Sequence, residues 1–157
     1  MVAPDVVCPD RRQRVLPLMF SRPLVGVDYV VAKVGAIVAI LSAMGEAIPF
    51  ADDSFDTVVC TYTLCSVGDS AQVLREMRRI LKPGGRLLFL EHGQAPDSGV
   101  QRWQRRLEPL WVPLMGGCHL TRPVIASVRQ AGFAVEDSGQ RYMPKMPRWA
   151  SWITRSA

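Results

Sequence analysis

Few residues of this chain are of a type and in a setting to do chemistry, and they lie far apart. Glu46 follows a glycine and precedes Ala-Ile-Pro, where its carboxylate can accept hydrogen bonds from a ligand's amine or hydroxyl groups or simply face water. His92 ends the run Arg86–Glu91 (RLLFLE), a place where an imidazole can move a proton near neutral pH or be tied to a neighbouring carbonyl. Cys65 would act as a nucleophile only beside a base that depresses its pKa, and Ser66 lacks the G-x-S-x-G elbow. Cys8, Cys60, Cys65 and Cys118 contain no C-x-x-C pair and no histidine at zinc-ligand spacing, so no metal site is expected. Gly84-Gly85 precedes an apolar run instead of a helix and cannot aim helix-terminal amides at a phosphate.

The elements that must position these residues follow from the hydrophobic pattern. Thr57–Leu64 (TVVCTYTL) is β-branched and aromatic, which predicts a strand covered on both faces. Over residues 70–81, Val73, Leu74, Met77, Ile80 and Leu81 share one helical face, and Arg75, Glu76, Arg78 and Arg79 fall on the water-facing side. Lys82-Pro83-Gly84-Gly85 stops that helix and Arg86–Glu91 reads as a second covered strand, so strand, helix and strand make one right-handed parallel crossover. In such a sheet ligands bind beyond the carboxyl ends of the strands, which selects residues 45–49, 60–68 and 91–94 without any motif. Further on, Trp103 and Leu107 mark a short helix over residues 100–107, Thr121 can cap a helix over residues 122–131, and residues 133–140 and 149–154 read as strands. Trp103, Trp111, Met115 and Trp149 suit either a pocket wall or plain core. The first 23 residues hold four prolines and the cluster Arg11, Arg12, Arg14, and read as an arm. Gly35–Leu41 is a short buried strand. The expected division is therefore a basic and apolar N-terminal segment over residues 1–34 and an α/β domain over residues 35–157.

At 157 residues, 48% hydrophobic and 21% charged, with mean hydropathy +0.10, the chain has the size of one domain and is neither disordered nor fibrous. A net charge of +5, carried by sixteen arginines and three lysines against fourteen acids, fits an anionic partner but is equally ordinary for an enzyme. No nucleic acid is expected, because the basic residues are scattered and the strands offer no paired aromatics to stack bases. The most apolar stretch, Val30–Met44, contains Lys33 and is short for a bilayer, so a buried strand is preferred there over a membrane-associated segment. Reduced thiols and no leader-like opening make a cytoplasmic location the expectation, with membrane association left open.

Three segments carry a resemblance: GEAIPFADDSFDTVVCTYTLCSV (Gly45–Val67), VLREMRRILKPGGRLLFLEH (Val73–His92) and GGCHLTR (Gly116–Arg122). In this order and spacing they resemble the second half of a class I S-adenosylmethionine-dependent methyltransferase, nearest to the small-molecule branch that includes membrane-associated thiol methyltransferases. The resemblance covers residues 45–154. It implies a Rossmann-like α/β sheet, S-adenosylmethionine as cofactor and a small-molecule acceptor. By position, Gly45, Glu46 and Ala47 match the loop that lines the adenine, and Cys60, Thr61, Thr63, Leu64 and Cys65 match the fourth strand and the turn beside the cofactor's methionine part. Glu91 and His92 match the end of the fifth strand, where acceptors approach, and His92 is the candidate catalytic residue.

The chain departs from the family at its front. No acidic residue followed by G-x-G-x-G occurs between Met1 and Met44, Gly26 and Gly35 stand alone, Asp28 closes no strand, and Met44 occupies a place the family usually gives to an acidic or polar residue. The expectation is a sheet without its first two strands and without the glycine loop, which would leave an edge uncovered. A truncated or rearranged gene product, a divergent N-terminus and a subunit completed by a partner chain would each account for this. Two functional classes stay open: methyl transfer to a small molecule, and a non-catalytic remnant or peripheral membrane-binding protein using the arginine-rich arm with Arg102, Arg105 and Arg106.

Overall fold

The computed structural model describes residues 15–19, 29–34, 37–42, 45–136 and 138–156. Seven strands form one sheet: β1 (Val15–Met19), β2 (Tyr29–Val34), β3 (Ile37–Ser42), β4 (Phe55–Thr61), β5 (Leu81–His92), β6 (Ser138–Tyr142) and β7 (Trp152–Ser156). Their spatial order is β3-β2-β1-β4-β5-β7-β6. Helices α1 (Ser70–Ile80), α2 (Ser98–Leu114) and α3 (Val124–Gln130) belong to the C-terminal part. β1, β4 and β5 run parallel and every other pair is antiparallel. The β4-α1-β5 crossover is the unit the hydrophobic pattern predicted. Its core joins Phe55, Val58 and Cys60 of β4 to Val73, Leu74, Met77 and Ile80 of α1, with Val124 and Val128 of α3 alongside.

The front of the sheet is built differently from a Rossmann half. β2 and β3 pair with each other as an antiparallel hairpin, Tyr29 opposite Ser42 and Val34 opposite Ile37, and among the described residues no helix connects β1, β2 and β3. The apolar stretch near Val30–Met44 is thus two strands, not one. No described helix is long and apolar enough to cross a membrane. The expected boundary after residue 34 falls inside this hairpin. Reading residues 1–23 as an arm needs correction as well: Val15–Met19 lies between β2 and β4, in register with Thr57–Thr61. Its prolines hid an unbroken apolar run, and Pro17 removes a single ladder donor. Arg11, Arg12, Arg14, Cys8, Gly26, Asp28, Gly35 and Met44 lie outside the described residues.

Other boundaries move for identifiable reasons. β5 starts at Leu81 and takes in Lys82-Pro83-Gly84-Gly85 as an irregularity opposite Phe55 and Thr57. Gly84 has φ +77°, and a Cβ on Gly85 would lie 2.9 Å from the Lys82 carbonyl and 3.1 Å from that of Asp56, so the turn requires both glycines. α2 runs on through Pro109 and Pro113 to Leu114; both prolines are exposed, so the carbonyls that lose a donor can be hydrated. α3 begins at Val124 after Pro123, and Thr121 does not cap it. Phe133 and Val135, which suggested a strand, instead pack as a loop against the core, and the polar run Ser138–Tyr142 forms β6.

Candidate functional site

The carboxyl ends of β4 and β5 are joined by one side chain. Glu91, the penultimate residue of β5, is fully buried, and its oxygens accept from the backbone N–H of Thr63 (2.8 Å) and of Cys65 (3.1 Å) and from the Cys60 thiol (3.2 Å). It therefore holds the turn that follows β4. Burial pushes its carboxyl above the ordinary range, against the pull of the backbone donors. The same turn is held from its other side by Arg122, whose guanidinium donates to the carbonyls of Leu64 (2.5 Å) and Val67 (2.7 Å). The carbonyl of Cys65 accepts from His119 N at 2.7 Å. Tyr62 enters this turn with φ +50°.

His92, the last residue of β5, packs against Tyr62 with ring centroids 4.8 Å apart and the rings tilted by 47°. Its Nδ1 lies 3.4 Å from Cys118 Sγ, and its Nε2 is buried with no hydrogen-bond partner among the described residues. Cys65, His92 and Cys118 bring their ligand atoms within 4.8 Å of one another. The neighbouring Cys65 thiol lowers the Cys118 pKa, while that same hydrogen bond, with burial, raises Cys65. Cys118 arrives on the turn Gly116-Gly117, both at positive φ. No sequence spacing announced this cluster, because its members come from three separate connections.

The loop after residue 44 is fixed by α1. Glu76 accepts from Ile48 N (3.0 Å) and pairs with Arg79 (2.8 Å), which also donates to the carbonyls of Ile48 (2.9 Å) and Phe50 (2.8 Å) and to Asp52 (2.7 Å). These two residues are a clamp and not merely a solvated face, which corrects the helical-wheel reading. Glu46 reaches the start of α1, accepting from Asp69 N at 3.3 Å. Gly45 is buried against Val73, and Ala47 is exposed. Gln104 was also missed: it is buried, accepts from Ala95 N and donates to the Gly93 carbonyl, both at 3.1 Å, and so fixes the segment after His92. Its neighbour Trp103, expected to face inward, is 54% exposed, as Met115 is at 50%; Trp111 and Trp149 pack edge-on at 5.3 Å.

The structure thus gathers Thr63, Leu64, Cys65, Glu91 and His92 at the carboxyl ends of β4 and β5, the first four of them buried, and sets Gly45, Glu46 and Ala47 on a neighbouring loop. Cys60 lies beneath the turn, in the core, and Thr61 ends β4.

A family model described as "Methyltransferase domain" matches residues 13–89. Thiol S-methyltransferase TMT1B of Rattus norvegicus is 49% identical over 85 residues, 54% of this chain and 35% of that protein. Over these segments the chain is similar to part of a class I S-adenosylmethionine-dependent methyltransferase domain. Ubiquinone/menaquinone biosynthesis C-methyltransferase UbiE of Hahella chejuensis is 42% identical over 82 residues, covering 52% of this chain and 33% of that protein. The methyltransferase fold is matched by a solved SAM-dependent methyltransferase of Thermotoga maritima, with TM-score 0.53 and 22% identity, over 74% of this chain and 62% of that one. The chain spans about a third of the length of these two curated relatives.

Proposed function

We propose that the chain serves S-adenosylmethionine-dependent methyl transfer to a small-molecule acceptor approaching the carboxyl ends of β4 and β5. The observation that carries this reading is His92 Nε2, a buried ring nitrogen without a partner among the described residues, at the end of the parallel β4-β5 pair. Supporting it, the named relatives are a thiol S-methyltransferase and a quinone-pathway C-methyltransferase.

The residues fit the nucleoside side of the cofactor. Gly45 closes tightly on Val73, where a Cβ would come to 3.2 Å of a methyl, and this leaves the exposed Ala47 on a loop clamped by Glu76 and Arg79. The sequence holds no G-x-G-x-G turn for the methionine end. S-adenosylmethionine, when bound, supplies a methyl group that is already activated, so alignment provides most of the acceleration. Glu91 and Arg122 keep the turn of residues 63–67 in one conformation at the ends of β4 and β5. Gln104 holds the segment after His92, and His92 can take the proton of an acceptor that must lose one.

Titration calorimetry with S-adenosylmethionine and with its demethylated product tests the reading. Saturable binding is expected, with about 2.7 kcal/mol of stabilisation at a hundred-fold excess over Kd. The absence of both heat and stabilisation at millimolar ligand would exclude catalysis by this chain alone.

A second reading, a peripheral membrane-binding role with or without catalysis, is favoured by α2. Leu110 and Leu114 are 67% and 79% exposed, and Trp103 stands among Arg102, Arg105 and Arg106. Under this reading a cytoplasmic chain co-sediments with anionic vesicles at low salt and is released at high salt. A partner chain completing the sheet would add at β3, an edge strand.

A further inference from the structure

We propose that Cys65, His92 and Cys118 form a three-ligand site for a thiophilic divalent cation, with Zn2+ as the reference ion. Zinc bonds of about 2.3 Å to sulfur and about 2.0–2.1 Å to nitrogen at tetrahedral angles place ligand atoms about 3.6–3.8 Å apart. Cys118 Sγ and His92 Nδ1 already stand 3.4 Å apart, and all three ligand atoms lie within 4.8 Å.

Two rings enclose the cluster. Among the described residues, the buried side-chain polar atoms without a hydrogen-bond partner are His92 Nε2 and Trp111 Nε1. One belongs to a ligand residue, and the other to a ring packed against Cys65 and Cys118. Buried polar groups are almost always satisfied, and what these rings reach are the sulfurs: His92 interacts with Cys65 and Trp111 with Cys118, which draws the cluster together. Trp111 Nε1 can only donate, so it serves the Cys118 sulfur as a donor.

The cluster is also preset. Cys65 is fixed at both backbone atoms, its N–H on Glu91 and its carbonyl under His119 N. Glu91 adds a buried carboxyl next to the site, and Arg122 is the opposing cation on the same turn. Binding displaces the two thiol protons to solvent, each sulfur and the imidazole nitrogen donate a lone pair to the ion, and no electron is transferred. The site does not depend on methyl transfer, and its test needs no turnover.

The full chain, kept reduced with a phosphine and stripped by chelator, is titrated with Zn2+ and separately with Co2+. The expected result is one equivalent of Zn2+, thiolate-to-metal charge-transfer absorption with Co2+, and X-ray absorption at the zinc edge reporting two sulfurs and a nitrogen at the distances above. That spectrum is read on the unaltered chain, so it does not depend on a variant that folds. Cys118→Ser and His92→Gln should weaken binding at least about ten-fold, and Cys8→Ser should not. Absence of binding, a shell of nitrogen and oxygen alone, or loss of binding in Cys8→Ser would overturn the proposal.

Discussion

The loop of residues 45–52 and the turn of residues 62–67 face the same problem: irregular backbone at a strand edge whose N–H and C=O groups need partners. Each meets it with one carboxylate and one guanidinium. Glu76 takes the N–H of Ile48 and Arg79 the carbonyls of Ile48 and Phe50; Glu91 takes the N–H of Thr63 and Cys65 and Arg122 the carbonyls of Leu64 and Val67. The difference lies in the solvent. Glu76 and Arg79 pair with each other at 2.8 Å with side chains 14% and 31% exposed, whereas Glu91 is fully buried and among the described residues no ion pair joins it to Arg122. Water can take the place of a partly exposed clamp more readily than that of a buried carboxylate.

The largest effect should therefore follow Glu91→Leu, which leaves two buried N–H groups without acceptors and costs about 3 kcal/mol in urea denaturation. A loss below about 1 kcal/mol would mean that the turn finds other partners and that the contrast is false. Gln104→Leu comes next at about 2 kcal/mol, since it orphans Ala95 N and the Gly93 carbonyl near His92. Arg79→Met should cost only about 1 kcal/mol or less, and the loss should shrink as salt is raised. The same variant should loosen the loop of residues 45–52 and weaken S-adenosylmethionine binding more than it weakens the fold, which calorimetry and denaturation on one sample would separate.

This contrast also explains what the sequence could reveal. The β4-α1-β5 crossover was legible because its apolar residues repeat at strand and helix periods over whole elements, and the strand-end rule then pointed to residues 45–49, 60–68 and 91–94. The clamps were not legible. Glu76 and Arg79 sit where a helical wheel places solvent, and only the folded loop of Ile48–Asp52 turns that face into an interior edge. Gln104 is polar among the residues that face the core, and its two partners lie 9 and 11 positions back along the chain. Cys118 meets His92 across 26 positions, far outside any metal-ligand spacing. β1 was hidden by proline content, although one proline removes only one donor from a strand that is otherwise apolar throughout.

The finest test of the comparison is the sign of two pH slopes. Arg79, with the N–H of Ile48, holds the Glu76 carboxyl below its ordinary value of 4.5, so its contribution is present above 4.5 and is lost as pH falls through the folded value. Burial holds Glu91 above 4.5, so the native state favours its protonated form. Its contribution is full below 4.5 and declines as pH rises through the folded value. Urea denaturation across the acid range should then show Glu76→Gln removing an acid-side loss and Glu91→Gln flattening a decline above 4.5. If both substitutions changed the slope with the same sign, the buried and the partly exposed clamp would be electrostatically alike, and solvent would not be what distinguishes them.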